Sequence, residues 1–144
     1  MSLAKLRAEQ GRVLHGAWVN GAVHGLGEDV RLRVRGRWNP EFRAMQAKLQ
    51  AAVPNDKKTR TEFGLEVSVA ESERIITECL IETALLDWEN LRETDDGEPI
   101  PFSKEKAREL LTDPMLAPFR DAVLISSMQV AKEGKEQFEA DEKN

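Results

Sequence analysis

The stretch DWENLRETDDGEPIPFSKEKARELLTDPMLAP, residues 87–118, decides the fold, because it joins two long helical patterns through one short connection. Asp95-Asp96-Gly97 is typical of a turn, since Asp and Gly accept the backbone angles that turns require. Pro99 and Pro101 disfavour helical angles in the residue before each of them. The chain is therefore predicted to stay extended on either side of Ile100.

Two helix starts follow this turn. Ser103 and Asp113 carry side-chain oxygens that accept hydrogen bonds from the free N–H groups at a helix N-terminus. Each is predicted to cap a helix, the first ending near Leu111 and the second near Ala131. The connector is expected to set the angle between helices through three apolar anchors, Trp88, Ile100 and Phe102.

The composition indicates one soluble globular domain. The chain has 144 residues, of which 40% are hydrophobic and 33% are charged. No apolar run approaches the roughly 20 residues of a membrane helix, so no membrane span is expected. The N-terminus lacks the apolar segment of a secretory signal, which favours a cytoplasmic protein. The single cysteine, Cys79, excludes an internal disulfide and is expected to be a small buried hydrophobe.

Charge is divided unevenly along the chain, although the net charge is -5. Residues 1–60 contain 12 Lys and Arg against 5 Asp and Glu, a balance of +7, which leaves -12 for residues 61–144. Such asymmetry indicates either that the two halves attract each other, in the fold or in a homo-oligomer, or that one half binds nucleic acid or another protein.

The first half predicts β structure. Asn20-Gly21, between short apolar pieces, is the strongest short sequence signal for a hairpin turn. From Asp29 to Trp38, apolar residues alternate strictly with arginines, which predicts a strand with one apolar face and one basic face. The basic face is formed by Arg31, Arg33, Arg35 and Arg37.

Two explanations fit this basic face. Arginine binds phosphate and carboxylate groups through a planar fork of donors, so the strand is a candidate surface for nucleic acid or an acidic partner. Alternatively, the arginines form a solvated outer face that keeps the strand from pairing with other chains. No aromatic residues interleave with them on that face, so a stacking platform for single-stranded nucleic acid is not indicated.

Helical patterns occupy most of the remaining chain. Asn39-Pro40 predicts a helix start, with Asn as the N-cap and Pro in the first turn, and this helix is expected to end near Ala52. A polar, solvent-facing linker is predicted at residues 57–61. Residues 65–91 have apolar side chains at spacings of three and four, which predicts one long helix.

The predicted fold class is α+β, with a small N-terminal antiparallel β-sheet or hairpin followed by a mainly α-helical C-terminal part. Residues 1–144 are expected to form a single domain. Within it we expect a β-rich basic lobe near residues 12–56, a helical acidic lobe near residues 62–132, and a flexible tail near residues 133–144.

No catalytic, cofactor-binding or metal-binding group is predicted. His15 and His24 have no nearby pattern of Cys or carboxylate residues, so they do not indicate a metal site. The carboxylates of the long helical pattern have no accompanying histidine, nucleophile or glycine-rich phosphate loop. The chain is therefore expected not to be an enzyme and to need no cofactor.

The order LLDWENL, then DDGEPIPFSKEKARELLTDPMLAPFRDAVL, after an Arg-rich strand and an Asn-Pro-Glu-Phe helix start, resembles the tail assembly chaperones of tailed phages and prophages. The resemblance covers residues 28–131 and is carried by Asp87-Trp88, Gly97-Glu98-Pro99, Pro101-Phe102-Ser103 and the helix containing Phe119. It implies a non-enzymatic protein of the bacterial host cytoplasm. Such a protein binds the tape-measure protein, keeps its apolar helices soluble and helps the major tail protein polymerise.

Helix-in-groove binding is a mechanism compatible with this role, with client helices lying in an apolar groove near residues 76–91 and 119–130. The candidate partner-binding residues are Ile76, Leu80, Trp88, Phe102, Phe119 and Val123, together with Arg31, Arg33, Arg35 and Arg37. Two alternatives remain: a structural tail or head–tail connector subunit of the particle, and a nucleic-acid-binding regulator that uses the strand from Arg31 to Arg37.

Overall fold

Helices and short antiparallel strands alternate along the chain, which confirms the predicted α+β class. The computed structural model describes residues 2–143, and their side chains except at positions 22, 23 and 133–143. In chain order the main elements are α1 (Leu3–His15), β1 (Ala17–Asn20), β2 (Arg31–Val34), α2 (Pro40–Ala51), β3 (Lys58–Thr61), β4 (Gly64–Val67), α3 (Val69–Cys79), β5 (Leu85–Glu89), α4 (Lys104–Leu111) and α5 (Ala117–Lys143).

Strands β1, β2 and β5 form one antiparallel sheet in that order. In the pairing of β2 with β5, Leu32 lies opposite Trp88, and both side chains are buried. The register shifts between Arg33 and Val34, which leaves Leu86 without a partner and forms a β-bulge. The sheet therefore combines two strands from the basic first half with one strand from the acidic second half.

The prediction of one long helix over residues 65–91 is wrong at both ends. Strand β4 occupies its start, α3 ends at Cys79, and a π-helical turn at Leu80–Ala84 leads into β5. Strand β5 exists because Leu85 and Trp88 are buried when it pairs with β2. Pairing between distant segments overrides the local helical spacing at this point.

Helix α5 lies against β1 and β2 and also packs on α1. The backbone N–H of Arg37 donates to the carbonyl oxygen of Ser127 at 3.0 Å. At the next turn, Nε of Arg12 donates to the carbonyl oxygen of Ala131 at 2.9 Å. The core enclosed by these elements includes Val19, Leu32, Val34 and Phe42 from the first half and Ile75, Leu80, Ile81 and Val123 from the second.

Asn39 caps α2 as predicted, and it also connects α2 to the π-helical turn. Its Oδ1 accepts from the N–H of Phe42 at 2.9 Å. Its Nδ2 donates to the carbonyl oxygens of Gly36 at 2.8 Å and Thr83 at 3.3 Å. Asn39 is fully buried, so its three hydrogen bonds satisfy groups that water does not reach.

The prediction of a two-residue hairpin turn at Asn20-Gly21 is wrong. Residues Gly21–His24 form a 3-10 turn, and β2 begins only at Arg31. Glycine is required at position 21 because the backbone there lies close to Val30. The Gly21 N–H donates to the carbonyl oxygen of Val30 at 2.7 Å, and a Cβ atom at Gly21 would lie 2.8 Å from the same oxygen.

Two further predictions concern polar segments. Residues 57–61 are exposed or half-buried as predicted, but they are not a linker, because Lys58–Thr61 forms β3 and pairs with β4 in a separate antiparallel hairpin. The backbone of α5 continues to Lys143. The predicted flexible tail at residues 133–144 lies outside the residues whose side chains are described.

Candidate protein-docking groove

The connector between β5 and α4 is anchored by Trp88. Its Nε1 donates to the carbonyl oxygen of Ile100 at 2.7 Å, and its ring meets Phe102 edge to face with centroids 4.8 Å apart. The Phe119 ring of α5 lies 6.3 Å away in a similar orientation. Ile100 in turn donates its N–H to the carbonyl oxygen of Leu91 at 2.6 Å. The connector is thus fixed to both the sheet and α5.

The six apolar candidates for partner binding lie together, but in the interior. Leu80, Trp88, Phe119 and Val123 are buried. Ile76 and Phe102 are half-buried and pack against the same core. Four of the six are closed off from a client in this structure, so the role of the set in binding stays a prediction.

The four arginines of the predicted basic face have different environments. The Arg31 guanidinium lies 5.0 Å from the centre of the Trp18 ring and 3.4 Å from Glu89. Arg33 is exposed and makes no ion pair with a described residue. Arg37 lies over the Trp38 ring at 5.3 Å. Only part of the row is therefore available as a surface.

Arg35 is the arginine most fully used by the fold. Its Nε donates to the carbonyl oxygen of Leu14 at 2.7 Å, and its Nη1 donates to that of Thr83 at 3.2 Å. Its Nη2 pairs with Glu41 at 2.8 Å, and this hydrogen bond lowers the pKa of the Glu41 carboxyl. Arg35 therefore joins α1, the π-helical turn and α2.

A groove of about 420 Å³ opens between α3 and the junction of α4 with α5. Ala70, Leu111, Pro114 and Ala117 give it an apolar lining, and Glu73, Arg74, Thr77, Glu78, Thr112, Asp113 and Arg120 give it polar walls. Two exposed apolar residues are sequence neighbours of this lining: Val69, 76% exposed, and Met115, 86% exposed. We call this feature the α3–α5 groove.

Ion pairs fix most of the charged groups around the α3–α5 groove. Arg108 of α4 binds both oxygens of Glu78, at 2.6 and 2.8 Å, and Glu82 at 2.7 Å. These carboxylates raise the pKa of the Arg108 guanidinium, Glu78 most strongly. Arg120 pairs with Asp121 at 2.9 Å. The carboxylate of Glu73 forms no ion pair with a described residue, so it is available to a ligand.

The helix caps explain why this groove forms where it does. Ser68 accepts from the N–H of Glu71 and starts α3 immediately before Val69. Asp113 accepts from the N–H of Met115 at 2.9 Å and fixes the 3-10 turn between α4 and α5. Sequence reasoning predicted the Asp113 cap but not the groove, because a cap does not show which other helix will lie opposite it.

A second recess, of about 490 Å³, lies beside the turn at residues 93–97 and is lined mainly by polar groups. Asn90 at its edge has a φ of 62°, and its Nδ2 donates to the carbonyl oxygen of Asp29 at 2.9 Å. Arg92 pairs with the Asp29 carboxylate at 3.0 Å. Across the described part of the chain, no three His, Cys, Asp or Glu side chains are grouped to hold a metal ion.

Cys79 is buried in the core, and its thiol is not activated as a nucleophile. Burial, with a smaller effect from the Glu78 charge, raises the pKa of its thiol to about 11. Among the helices that the structure describes, none combines the length and apolar character that crossing a bilayer requires.

Comparison with known proteins identifies one family. The family model described as YdaY prophage protein matches residues 38–144. The match includes α3, α4 and α5, which line the α3–α5 groove, and excludes α1, β1 and β2. No curated protein and no solved structure matches the chain.

Proposed function

The chain belongs to the YdaY prophage protein family, and we propose that it is a non-enzymatic, tail assembly chaperone-like protein that binds the tape-measure protein. In this role it assists assembly of the tail tube in the bacterial host cytoplasm, together with the major tail protein. The prophage family supports the setting, and the sequence of the connector at residues 87–118 supports the class of protein.

The observation that carries the proposal is the α3–α5 groove with its exposed apolar neighbours. An amphipathic helix binds by placing apolar side chains spaced three and four residues apart into such a groove. Val69 and Met115 would contact the apolar stripe of the client helix, since large exposed apolar groups at a groove are typical of interaction sites. Glu73 would pair with a basic residue beside that stripe.

This groove overlaps only in part with the one expected near residues 76–91 and 119–130. The apolar candidates in those ranges are buried or half-buried, whereas the α3–α5 groove is open and includes Thr77, Glu78 and Arg120 from the same ranges. The proposed client site therefore lies where α3 faces the junction of α4 with α5. The class of client, an apolar helix from a long structural protein, stays the same.

Co-expression with overlapping fragments of the tape-measure protein of the same prophage tests the proposal. The wild-type chain should co-purify with at least one helical fragment, and Val69→Asp combined with Met115→Asp should reduce the retained fragment at least tenfold. Leu3→Asp is the matched control, because Leu3 is also exposed and lies in α1, away from the groove. Failure of every fragment to bind the wild-type chain would reject the chaperone function.

A structural tail or connector subunit is a second candidate, favoured by the exposed hairpin β3–β4. Such a subunit stays in the finished particle, whereas a chaperone leaves it. Mass spectrometry of purified particles distinguishes the two, because only the structural subunit should be present in a fixed ratio to the major tail protein.

The nucleic-acid alternative has less support from the arginine strand. Arg31 and Arg35 are paired with Glu89 and Glu41, and pairing lowers the net positive charge offered to phosphates. We expect no retention of the protein on DNA or RNA in 0.15 M salt.

A further inference from the structure

Trp38 is an exposed aromatic residue in the turn that leads into α2. The residue is 53% exposed, and the guanidinium carbons of Arg37 and Arg43 lie 5.3 Å and 5.8 Å from the centre of its ring. Aromatic residues and arginine are the types that protein interfaces use most in excess over the rest of the surface. We call Arg37, Trp38 and Arg43 the Trp38 cluster.

Neither guanidinium of the Trp38 cluster has an anionic partner. Among the residues that the structure describes, no carboxylate pairs with Arg37 or Arg43. Glu41 is the nearest carboxylate along the chain, and Arg35 binds it at 2.8 Å. The fold therefore leaves two cations beside one exposed ring without a counter-charge.

The missing partner is costly at Arg37, because this residue is half-buried. Its Nε is buried and has no acceptor among the described residues, and its guanidinium carbon also lies 5.9 Å from the centre of the buried Phe42 ring. A cation that loses water without gaining an acceptor destabilises a fold. Of the three guanidinium nitrogens only Nε is enclosed, so an anion that binds the outer two would offset part of this cost.

We propose that the Trp38 cluster binds an acidic peptide segment of a partner protein. Carboxylates of the segment pair with Arg37 and Arg43, and an apolar side chain between them contacts the Trp38 ring. Arginine holds a carboxylate through two parallel N–H donors. Because both guanidiniums contact the same ring, two acidic residues a few positions apart on one extended segment reach both of them.

Charge favours a short acidic peptide over nucleic acid. Nucleic acids draw their affinity from many phosphate contacts, whereas the Trp38 cluster supplies two cations on a chain of net charge -5. The guanidiniums also lie over the Trp38 ring, which leaves less of its face to a nucleobase. None of the three residues lines the α3–α5 groove, so this site does not depend on the tape-measure client.

Nuclear magnetic resonance of the indole N–H groups tests the site, because each of the three tryptophans gives its own signal. The probe is a synthetic peptide with two glutamates on each side of a leucine, titrated to millimolar concentration. The Trp38 signal, identified with Trp38→Phe, should shift until it saturates, whereas the signal of buried Trp88 should not move. Arg37→Gln with Arg43→Gln should raise the dissociation constant of the peptide at least tenfold.

Two sets of variants separate binding from general charge and from folding. Arg7→Gln with Arg60→Gln removes the same charge at two exposed arginines outside the Trp38 cluster and should change the dissociation constant less than twofold. Arg43→Gln alone should weaken binding without affecting the fold, because Arg43 is exposed. Arg37→Met should not lower the melting temperature of the free protein, since it removes a buried donor that has no acceptor.

Several results would overturn the proposal. One is a Trp38 signal that does not move with the peptide, and another is equal weakening by the control variant. A glutamine version of the peptide, inorganic phosphate or a single-stranded DNA oligonucleotide that binds as tightly would show that the site does not select an acidic peptide. A shift of the Trp38 signal with protein concentration alone would assign the site to a second copy of the chain instead. A lower melting temperature of Arg37→Met would make Arg37 a structural residue.

Discussion

The indole Nε1 of Trp88 lies 2.7 Å from the carbonyl oxygen of Ile100 and donates a hydrogen bond to it. Twelve residues separate the pair along the chain, so this bond closes the loop that contains the Asp95-Asp96-Gly97 turn. Trp88 is buried in β5, and Ile100 precedes α4. The bond therefore holds the start of α4 against the sheet and helps to fix the wall of the α3–α5 groove.

Substitutions at Trp88 should separate packing from hydrogen bonding. Trp88→Ala removes the ring that contacts Phe102 and Phe119 and should cost about 3 to 5 kcal/mol of unfolding free energy. Trp88→Phe retains an aromatic ring but leaves the Ile100 carbonyl without its donor, which should cost about 1 to 3 kcal/mol. Urea unfolding followed by circular dichroism measures both, and a Trp88→Phe variant as stable as the wild type would contradict the assigned bond.

Substitution of Asn39 should weaken the attachment of α2 to the π-helical turn and lower the free energy of unfolding. Asn39→Ala removes the cap of α2 and the donors to Gly36 and Thr83, and we expect a loss of about 2 kcal/mol or more. Asn39→Ser keeps an oxygen able to cap the helix but loses both donors. Thermal unfolding should therefore rank the wild type above the serine variant, and the serine variant above the alanine variant. Identical melting temperatures for the two variants would show that the cap contributes nothing.

The parts of the fold that sequence predicted well are those determined by neighbours in the chain. Asn39, Ser103 and Asp113 cap helices as expected, because a cap requires one side chain and N–H groups two or three residues away. The alternation from Asp29 to Trp38 likewise predicted a strand, which the structure confirms over the shorter span Arg31–Val34.

The remaining elements depend on contacts between distant segments. Strand β5 has helical spacing in its sequence and becomes a strand because β2 offers it a pairing edge. The α3–α5 groove forms only because α3 lies opposite the junction of α4 with α5. The local sequence around Val69 and Met115 does not predict that placement. The sequence did not predict the hairpin β3–β4, because its strands are mostly polar and lack an apolar alternation. Gly64 adopts a positive φ of 111° where β4 begins after the turn.

Two adjacent serines of α5 allow a matched comparison. Both are buried, but Ser127 Oγ donates to the carbonyl oxygen of Leu124 at 2.9 Å, whereas Ser126 Oγ has no partner among the described residues. Ser126→Ala removes an unsatisfied hydroxyl and should raise unfolding free energy by up to about 1 kcal/mol. Ser127→Ala gains the same helix propensity but loses a hydrogen bond. Calorimetry should place the melting temperature of Ser126→Ala above that of Ser127→Ala, and the reverse order would contradict the assignment.

The free energy of unfolding should fall at alkaline pH because of the Cys79 thiol. Burial raises the pKa of its thiol from 9.0 to about 11, so the folded chain holds this proton more tightly than the unfolded chain does. Below pH 9 the thiol is protonated in both states and has no effect on the pH dependence of unfolding. Between pH 9 and pH 11 the unfolded chain loses the proton first, which should cost about 1 kcal/mol at pH 10.

Cys79→Ala is the control for this alkaline loss, because it removes the thiol while other groups titrate as before. Urea unfolding of both chains from pH 8 to pH 10.5 should show a steeper decline for the wild type. A thiol reagent should also react with the folded wild type far more slowly at pH 8 than with the chain in urea, since the thiol is buried and protonated. Parallel pH profiles for the two chains, together with rapid labelling of the folded protein, would place Cys79 in a solvent-accessible site instead.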